Sequence, residues 1–414
     1  MNSVRQCRLC NGRNLSLLFN LENLPISHYL RKKPDDPDPR FSIRFECCQD
    51  CGLLQIVDAI PADLIYGEAD TYTTGFQRPK HLEDLITTTV ARQDPGRAID
   101  IGCNDGALLE VLCRAGYAKV VGVEPNPVAA AIARKKGHQV YTNYLSMELA
   151  TQIVAECGEF DTVYLRHVVE HVSDLEQFFA AVRTLLRSDG LLVLELPEVA
   201  EAFALGSPAI LWEEHVSYFT QALAEYMLGR FGFHVLDRRR YVFGGGSLAF
   251  VAQRKAMPAT LAATRPDPSP TIELLHGFVA AMERQKSEIR SLVSLARSSG
   301  YQVLIYGAAP RSCLLASVCQ IGEMIDFVVD DREDIQRRLM PGTQRFVRPL
   351  AEVAQATSGK LLCLLGVGSE NEFKVRAKVE AAIDARFAFV SLFPPRNTLE
   401  SLAGARRVIA ADQK

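Results

Sequence analysis

The nonapeptide LWEEHVSYF, Leu211–Phe219, sets two carboxylates directly before a histidine, with aromatic residues on either side. An imidazole titrates near pH 6.5, so a neutral His215 can take a proton at physiological pH. In one reading His215 is a general base, a neighbouring glutamate is its orienting carboxylate, and the aromatics form a substrate wall. In the other, the stretch is an ordinary helix or turn with its polar side to water. The rest of the chain has to decide.

A second chemistry is written in cysteine. Five of the eleven cysteines fall within the first 51 residues, and CRLCNG and CQDCGL each carry a C-x-x-C pair followed by glycine. Two such knuckles supply four thiolates at tetrahedral angles, the ligand set of a closed zinc site. Cys7, Cys10, Cys48 and Cys51 are the predicted ligands, and Cys47 is a spare. A redox pair would want a strand–C-x-x-C–helix setting, which is missing here. The stretch between the knuckles, with its KKPDDPDPR run, is expected to contribute little core, so a metal staple has a purpose.

A third chemistry sits in RAIDIGCNDGALLEVLCRAG, which reads as strand, glycine-rich turn and amphipathic helix. About twenty residues on, VVGVEP supplies a second strand ending in Glu124 and Pro125, where a carboxylate can accept hydrogen bonds from both hydroxyls of a ribose. The turn Gly102, Cys103, Asn104, Asp105, Gly106 is not G-x-G-x-x-G. Asn104 and Asp105 are poor neighbours for a pyrophosphate but suit a cofactor with a cationic amino-acid end, such as S-adenosylmethionine (SAM). FDTVYLRHVVEHVSD reads as a fourth strand whose carboxyl end runs into His167, Glu170 and His171, with His167 at the cofactor. AAVRTLLRSDGLLVLELPE continues as helix, turn and strand, ending near Glu195.

These elements must be positioned by more than one domain, because 414 residues exceed a single typical core. An apolar fraction of 48% supports real cores, and a net charge of −3 offers no concentrated basic surface for nucleic acid. The opening residues lack an apolar h-region, and no segment is long enough to span a bilayer, so a cytoplasmic protein with reduced cysteines is expected. After a proline-rich linker, VLIYGAAP, MIDFVVDD, KLLCLLGVG and FAFVSLFP predict a second parallel α/β layer. The expected division is a zinc lobe over 1–65, a SAM-binding domain over 66–254, a linker over 255–270 and a C-terminal Rossmann-like α/β domain over 271–414. The expected fold class is therefore α/β, with a class I Rossmann-like methyltransferase core between the two.

In this order the two knuckles, IGCNDGALL, GVEPNPVAAAIARKKG, EEHVSYF, GGGSL and YGAAPRS…DFVVDDR…MPGT resemble the three-part sugar C-methyltransferases that act on nucleotide-linked 4-keto-6-deoxyhexoses. The resemblance covers nearly the whole chain. It implies a SAM-dependent methyl transfer to the carbon beside a ketone, with zinc as a structural ion and a nucleotide-linked sugar as the small-molecule substrate in deoxysugar biosynthesis. It implies His215 as the base, Glu214 beside the sugar ring, where it binds a hydroxyl or holds the His215 tautomer, and a site tyrosine matched by Tyr72. The family often has Tyr-His-Glu-His where this chain has Trp212-Glu213-Glu214-His215. It also has asparagine where His167 stands, and an alanine-proline-alanine-lysine-glycine tail motif shortened here to AAPRS. These departures bear on the acceptor, leaving an O- or N-methyltransferase on another small molecule, or a nonenzymatic SAM-binding protein, as the alternatives.

Overall fold

The computed structural model describes residues 5–60, 80–255, 264–357, 359–393 and 397–412. Among these residues the strands form three sheets, of four, seven and six strands. The first begins with β1 (Leu15–Pro25), β2 (Arg40–Cys48) and β3 (Leu54–Ile56), paired antiparallel beside the two knuckles. The strands bracketing KKPDDPDPR do carry core, contrary to the expectation for that stretch. Leu21, Leu24, Ile43 and Phe45 are buried together with Phe203, Phe278 and Leu314 from the other two domains.

The central sheet is built from β4 (Arg97–Ile101), β5 (Lys119–Val123), β6 (Gln139–Tyr141), β7 (Phe160–Arg166) and β8 (Leu186–Pro197), all parallel. Their apolar runs are nearly continuous because helices cover both faces. The helix Ala107–Arg114 buries Leu108, Leu109 and Leu112 on one side, each contributing about 2 kcal/mol from lost apolar exposure. Next comes the two-residue β9 (Ser217–Tyr218), then β10 (Phe233–Tyr241) and β11 (Ser247–Arg254), a hairpin whose second strand lies antiparallel against β8. The order across this sheet is β10-β11-β8-β7-β4-β5-β6. The strand order reverses between β4 and β7, and ligands of open α/β sheets bind at the strand ends beside such a switch point.

The C-terminal sheet contains β12 (Gln302–Tyr306), β13 (Phe327–Val329), β14 (Leu339–Met340), β15 (Arg345–Arg348), β16 (Gly359–Leu365) and β17 (Ala385–Ser391). All but β14 are parallel, in the order β14-β15-β13-β12-β16-β17. The long helix Ser269–Ser298 precedes it and presses Leu275, Phe278 and Met282 into the cluster shared by all three domains.

LWEEHVSYF is neither a helix nor a plain loop. Leu54 and Gln55 of β3 pair with Tyr218 and Ser217 of β9, so the end of the nonapeptide is the fourth strand of the N-terminal sheet. Thr220 stands at the N-cap of the helix Gln221–Arg230, but its side chain makes no capping bond there. Among the described residues no helix is long and apolar enough to cross a membrane.

Candidate functional site

The turn after β4 is shaped by backbone that only small residues tolerate. Gly102 has φ +78°, and a Cβ there would fall 2.6 Å from Val168 Cγ2. Gly106, at φ +80°, caps the helix Ala107–Arg114. Asn104 is also left-handed, and its amide donates to Glu124 Oε2 at 2.8 Å. The Asn126 amide donates to Glu124 Oε1 at 2.8 Å, and the Asn126 side chain caps the helix that begins at Pro127. Glu124, expected to accept from both hydroxyls of a ribose, receives an amide on each oxygen, a fixed carboxylate whose second lone pairs still suit two hydroxyls. Burial raises its pKa, and the two amides oppose that shift. Pro125 lies between these two anchor points. Asp105 accepts from the Ala107 amide and pairs with Lys136 at 3.1 Å.

His167 closes the site from the end of β7. Its backbone is left-handed at φ +53°, and its ring reaches Glu170 Oε1 at 3.4 Å and Glu195 Oε1 at 3.6 Å. Burial works against a charged ring, yet the two glutamates raise His167 to about 9. Glu195 is fully buried and accepts from Ser247 Oγ (2.5 Å), Arg166 Nε (2.5 Å) and His81 Nε2 (2.8 Å). Burial opposes its ionisation, but Arg166 and the histidines hold it well below the usual carboxylate range. His81 stacks on Tyr241 at 4.4 Å and belongs to this network, not to a helix surface.

At the edge of the same face, His215 lies flat against Trp212, with ring centroids 4.8 Å apart and planes 18° from parallel. Trp212 is itself fixed: its indole donates to Ala209 O, and its amide donates to the Tyr218 hydroxyl. That hydroxyl, together with the burial of Tyr218 and Phe219, places both aromatics in the core and not along a substrate wall. The two glutamates, whose oxygens lie within 4.8 Å of each other and of His28, differ in their partners. Glu213 accepts from both the amide and the hydroxyl of Ser27 at 2.6 Å, whereas Glu214 faces His28 and lies 3.8 Å from His171 Nδ1. Ligand atoms of Glu170, His171 and His215 all lie within 4.8 Å of one another. Glu170 is 2% exposed, and among the described residues neither of its oxygens accepts a hydrogen bond, with His167 Nδ1 an ion-pair neighbour at 3.4 Å. Burial drives the His215 pKa well below 6.5, helped by the nearby His171, His167, Arg311 and His28. The ring is therefore neutral at pH 7, and more firmly so than an unperturbed imidazole.

The four predicted cysteines converge. Cys7 and Cys51 sulfurs are 3.6 Å apart, as are those of Cys10 and Cys48, and all four lie within 4.8 Å of one another. Tetrahedral thiolates about 2.3 Å from zinc sit about 3.8 Å from each other, so the set fits the ion. The Gly12 amide adds a hydrogen bond to Cys10 Sγ, whereas Cys47 Sγ turns away toward a carbonyl.

The structure thus gathers Gly102, Asn104, Asp105, Gly106, Glu124, Pro125 and His167 at the strand ends, with His215 and Glu214 beside them. Tyr72 lies outside the described residues. Sequence reasoning missed Ser27 and His28, whose only signal is a polar pair inside the apolar run LPISHYL, and it left Glu170 without a role.

Residues 76–237 match the model described as "Methyltransferase domain". Residues 243–390 match a "C-methyltransferase C-terminal domain", and residues 7–66 a "zinc binding domain". The chain is a SAM-dependent methyltransferase. It has a class I Rossmann-like core flanked by a small zinc lobe and a C-terminal α/β domain. This methyltransferase is 26% identical over 356 residues to the C-methyltransferase NovU of Streptomyces niveus, a match covering 82% of this chain and 84% of that protein. It is 30% identical over 161 residues to a ubiquinone biosynthesis O-methyltransferase of Azorhizobium caulinodans, covering 36% of this chain and 62% of that one. Among solved structures, the Burkholderia thailandensis 1,6-didemethyltoxoflavin-N1-methyltransferase aligns at 17% identity with a TM-score of 0.36, over 49% of this chain and 96% of that one.

Proposed function

We propose that the enzyme methylates the carbon beside the ketone of a nucleotide-linked 4-keto-6-deoxy sugar, with His215 as the base. The observation that carries this reading is a buried, neutral imidazole, braced on Trp212 at the cofactor end of the sheet, with the Glu170 carboxylate within 4.8 Å. Likeness to a C-methyltransferase over most of both chains supports it.

When bound, SAM supplies an electrophilic methyl on its sulfonium and leaves as S-adenosylhomocysteine. Gly102, Asn104, Asp105, Gly106, Glu124, Pro125 and His167 would hold it. The ketone at C4 acidifies the C3 proton, and His215 takes that proton while the electron pair of the C–H bond moves into the enolate. The enolate carbon then forms the new C–C bond. The imidazolium left behind is stabilised by Glu170, which offsets the unfavourable charging of a buried ring. Glu214 binds a sugar hydroxyl or holds His215 through its own neighbours, and Tyr72 would donate to the developing oxyanion. Cys7, Cys10, Cys48 and Cys51 would hold a structural zinc with no open coordination position. O-methylation is the second reading, favoured by the ubiquinone O-methyltransferase match, and would need His215 only to deprotonate a hydroxyl.

The test mixes the enzyme, SAM and dTDP-4-keto-6-deoxyglucose in deuterated water. A gain of one methyl group with C3 exchange, both lost in His215→Ala, is expected. A methylated product that keeps its C3 proton, or a fully active His215→Ala, would overturn the carbon mechanism.

A further inference from the structure

We infer that the zinc lobe is a working part of the acceptor site, with Ser27 and His28 as positioning residues for the Glu213–Glu214–His215 run. The inference rests on the site reading above but not on the identity of the acceptor.

Three independent links tie the lobe to this run. Ser27 grips one carboxylate oxygen of Glu213 with two donors, its amide and its hydroxyl, both at 2.6 Å. His28 meets Glu214, and both side chains are 3% exposed. Arg8, set between the ligands Cys7 and Cys10, donates to the carbonyls of Ile56 and Val216 at 2.6 and 3.2 Å. Val216 is the residue after His215, and its carbonyl also receives the Ile56 amide at 3.0 Å. The lobe therefore fixes the run by its backbone on one side of His215 and by its carboxylates on the other. Glu213, Glu214 and His28 lie within 4.8 Å of one another, so these bonds hold two close, buried acids in one fixed arrangement. The cofactor turn is held separately, through Val123, Glu124 and Val168 of the central domain. Loss of the lobe's grip should reach methyl transfer and leave SAM binding alone.

The indole of Trp212, the single tryptophan of the chain, makes this directly observable. It stacks on His215 and meets the His28 ring edge-on, with centroids 6.4 Å apart. Its fluorescence reports the geometry of the acceptor site with no acceptor present.

The experiment compares zinc-loaded full-length wild type, Ser27→Ala, His28→Ala and His28→Gln. The readouts are SAM affinity by calorimetry, Trp212 emission, melting temperature, and kcat and KM with the keto sugar. For His28→Ala, kcat should fall about tenfold to a hundredfold, the cost of a misplaced reacting group, with SAM affinity within about twofold. The neutral amide of His28→Gln should restore most of that rate, and Trp212 emission should shift in His28→Ala but return in His28→Gln. Ser27→Ala, which keeps the amide donor, should show a smaller loss in the same direction. Unchanged kcat and emission in His28→Ala would overturn the inference. So would parallel loss of SAM affinity and melting temperature in both His28 variants, because that marks a general folding role. If wild type fails to methylate the keto sugar, the function reading fails, while emission and SAM affinity still decide the positioning role.

Discussion

Trp212 and His215 stack with ring centroids 4.8 Å apart and planes 18° from parallel. An imidazole three residues after its own platform is held in one orientation by local chain and by the turn that the Tyr218 hydroxyl closes. Trp212→Phe should retain a flat surface and most activity, whereas Trp212→Ala should lower kcat by about tenfold or more through a loose imidazole. Steady-state kinetics with circular dichroism as a fold control checks this. Equal rates in all three proteins would remove the platform role.

The activity should have an unusually acidic lower limb. Burial and cationic neighbours push the His215 pKa well below 6.5, so the base stays neutral until the pH drops beneath the ordinary histidine value. A kcat/KM profile should be flat through pH 7 and fall only below 6.5. A midpoint at or above 6.5 would exclude His215 as the group that titrates.

Stability should depend on pH through His28. Burial pushes His28 down to about 4, with Arg332 adding to the shift and Glu213 opposing it. The unfolded chain takes up its proton near 6.5, so stability is full above that value and is lost as the pH falls from 6.5 towards 4. His167, at about 9, acts the other way: its contribution is full below 6.5 and lost as pH rises through 9. Asp100, raised to about 7 by burial with Glu124 adding and Arg166 opposing, loses its contribution as pH rises from 3.8 to 7. Comparison with His28→Gln removes these shared backgrounds. Wild type should lose about 2 kcal/mol relative to His28→Gln between pH 7 and pH 5 in urea unfolding. No difference between the two proteins would contradict the buried neutral ring.

Removing the ion should separate the two halves of the reaction. In Cys10→Ser, zinc content should fall and the lobe should lose several kcal/mol of folding energy. Methyl transfer should drop with it, while SAM affinity stays within about twofold of wild type, because the cofactor turn has its own anchors. Metal analysis and calorimetry on the same preparation decide. SAM binding that vanishes with the ion would merge the two sites.

Gly102→Ala isolates the cofactor turn. Its positive φ and the 2.6 Å approach of Val168 leave no room for a methyl group. SAM affinity should fall at least about tenfold, with the melting temperature reduced by only a few degrees. Wild-type affinity in this variant would mean the turn does not contact the cofactor.

Much was legible in local pattern. The knuckle spacing alone brought out the four cysteines, because C-x-x-C closes a loop too short to do much else. The strand–turn–helix of IGCNDGALL and the acid of VVGVEP could be placed because apolar periodicity and glycine are short-range signals. His81, by contrast, carries no local signal that singles out its partner, and only the fold turns it onto Glu195. That Glu124 also receives two amides from the folded turn could not be read locally.

The sequence by itself marked most of the elements, the two cysteine pairs and the chemistry available to His215, since each depends on residues within a few positions of one another. Tertiary structure alone decided which glutamate faces which partner. Glu213 and Glu214 are identical in type and adjacent in the chain, so nothing local distinguishes them. Ser27 and His28, 186 residues away, make the distinction, and they reach the site only because β3 pairs with β9 and packs the lobe against the core. The same long-range packing buries the imidazole and sets its pKa, a property of surroundings that no nine-residue stretch contains.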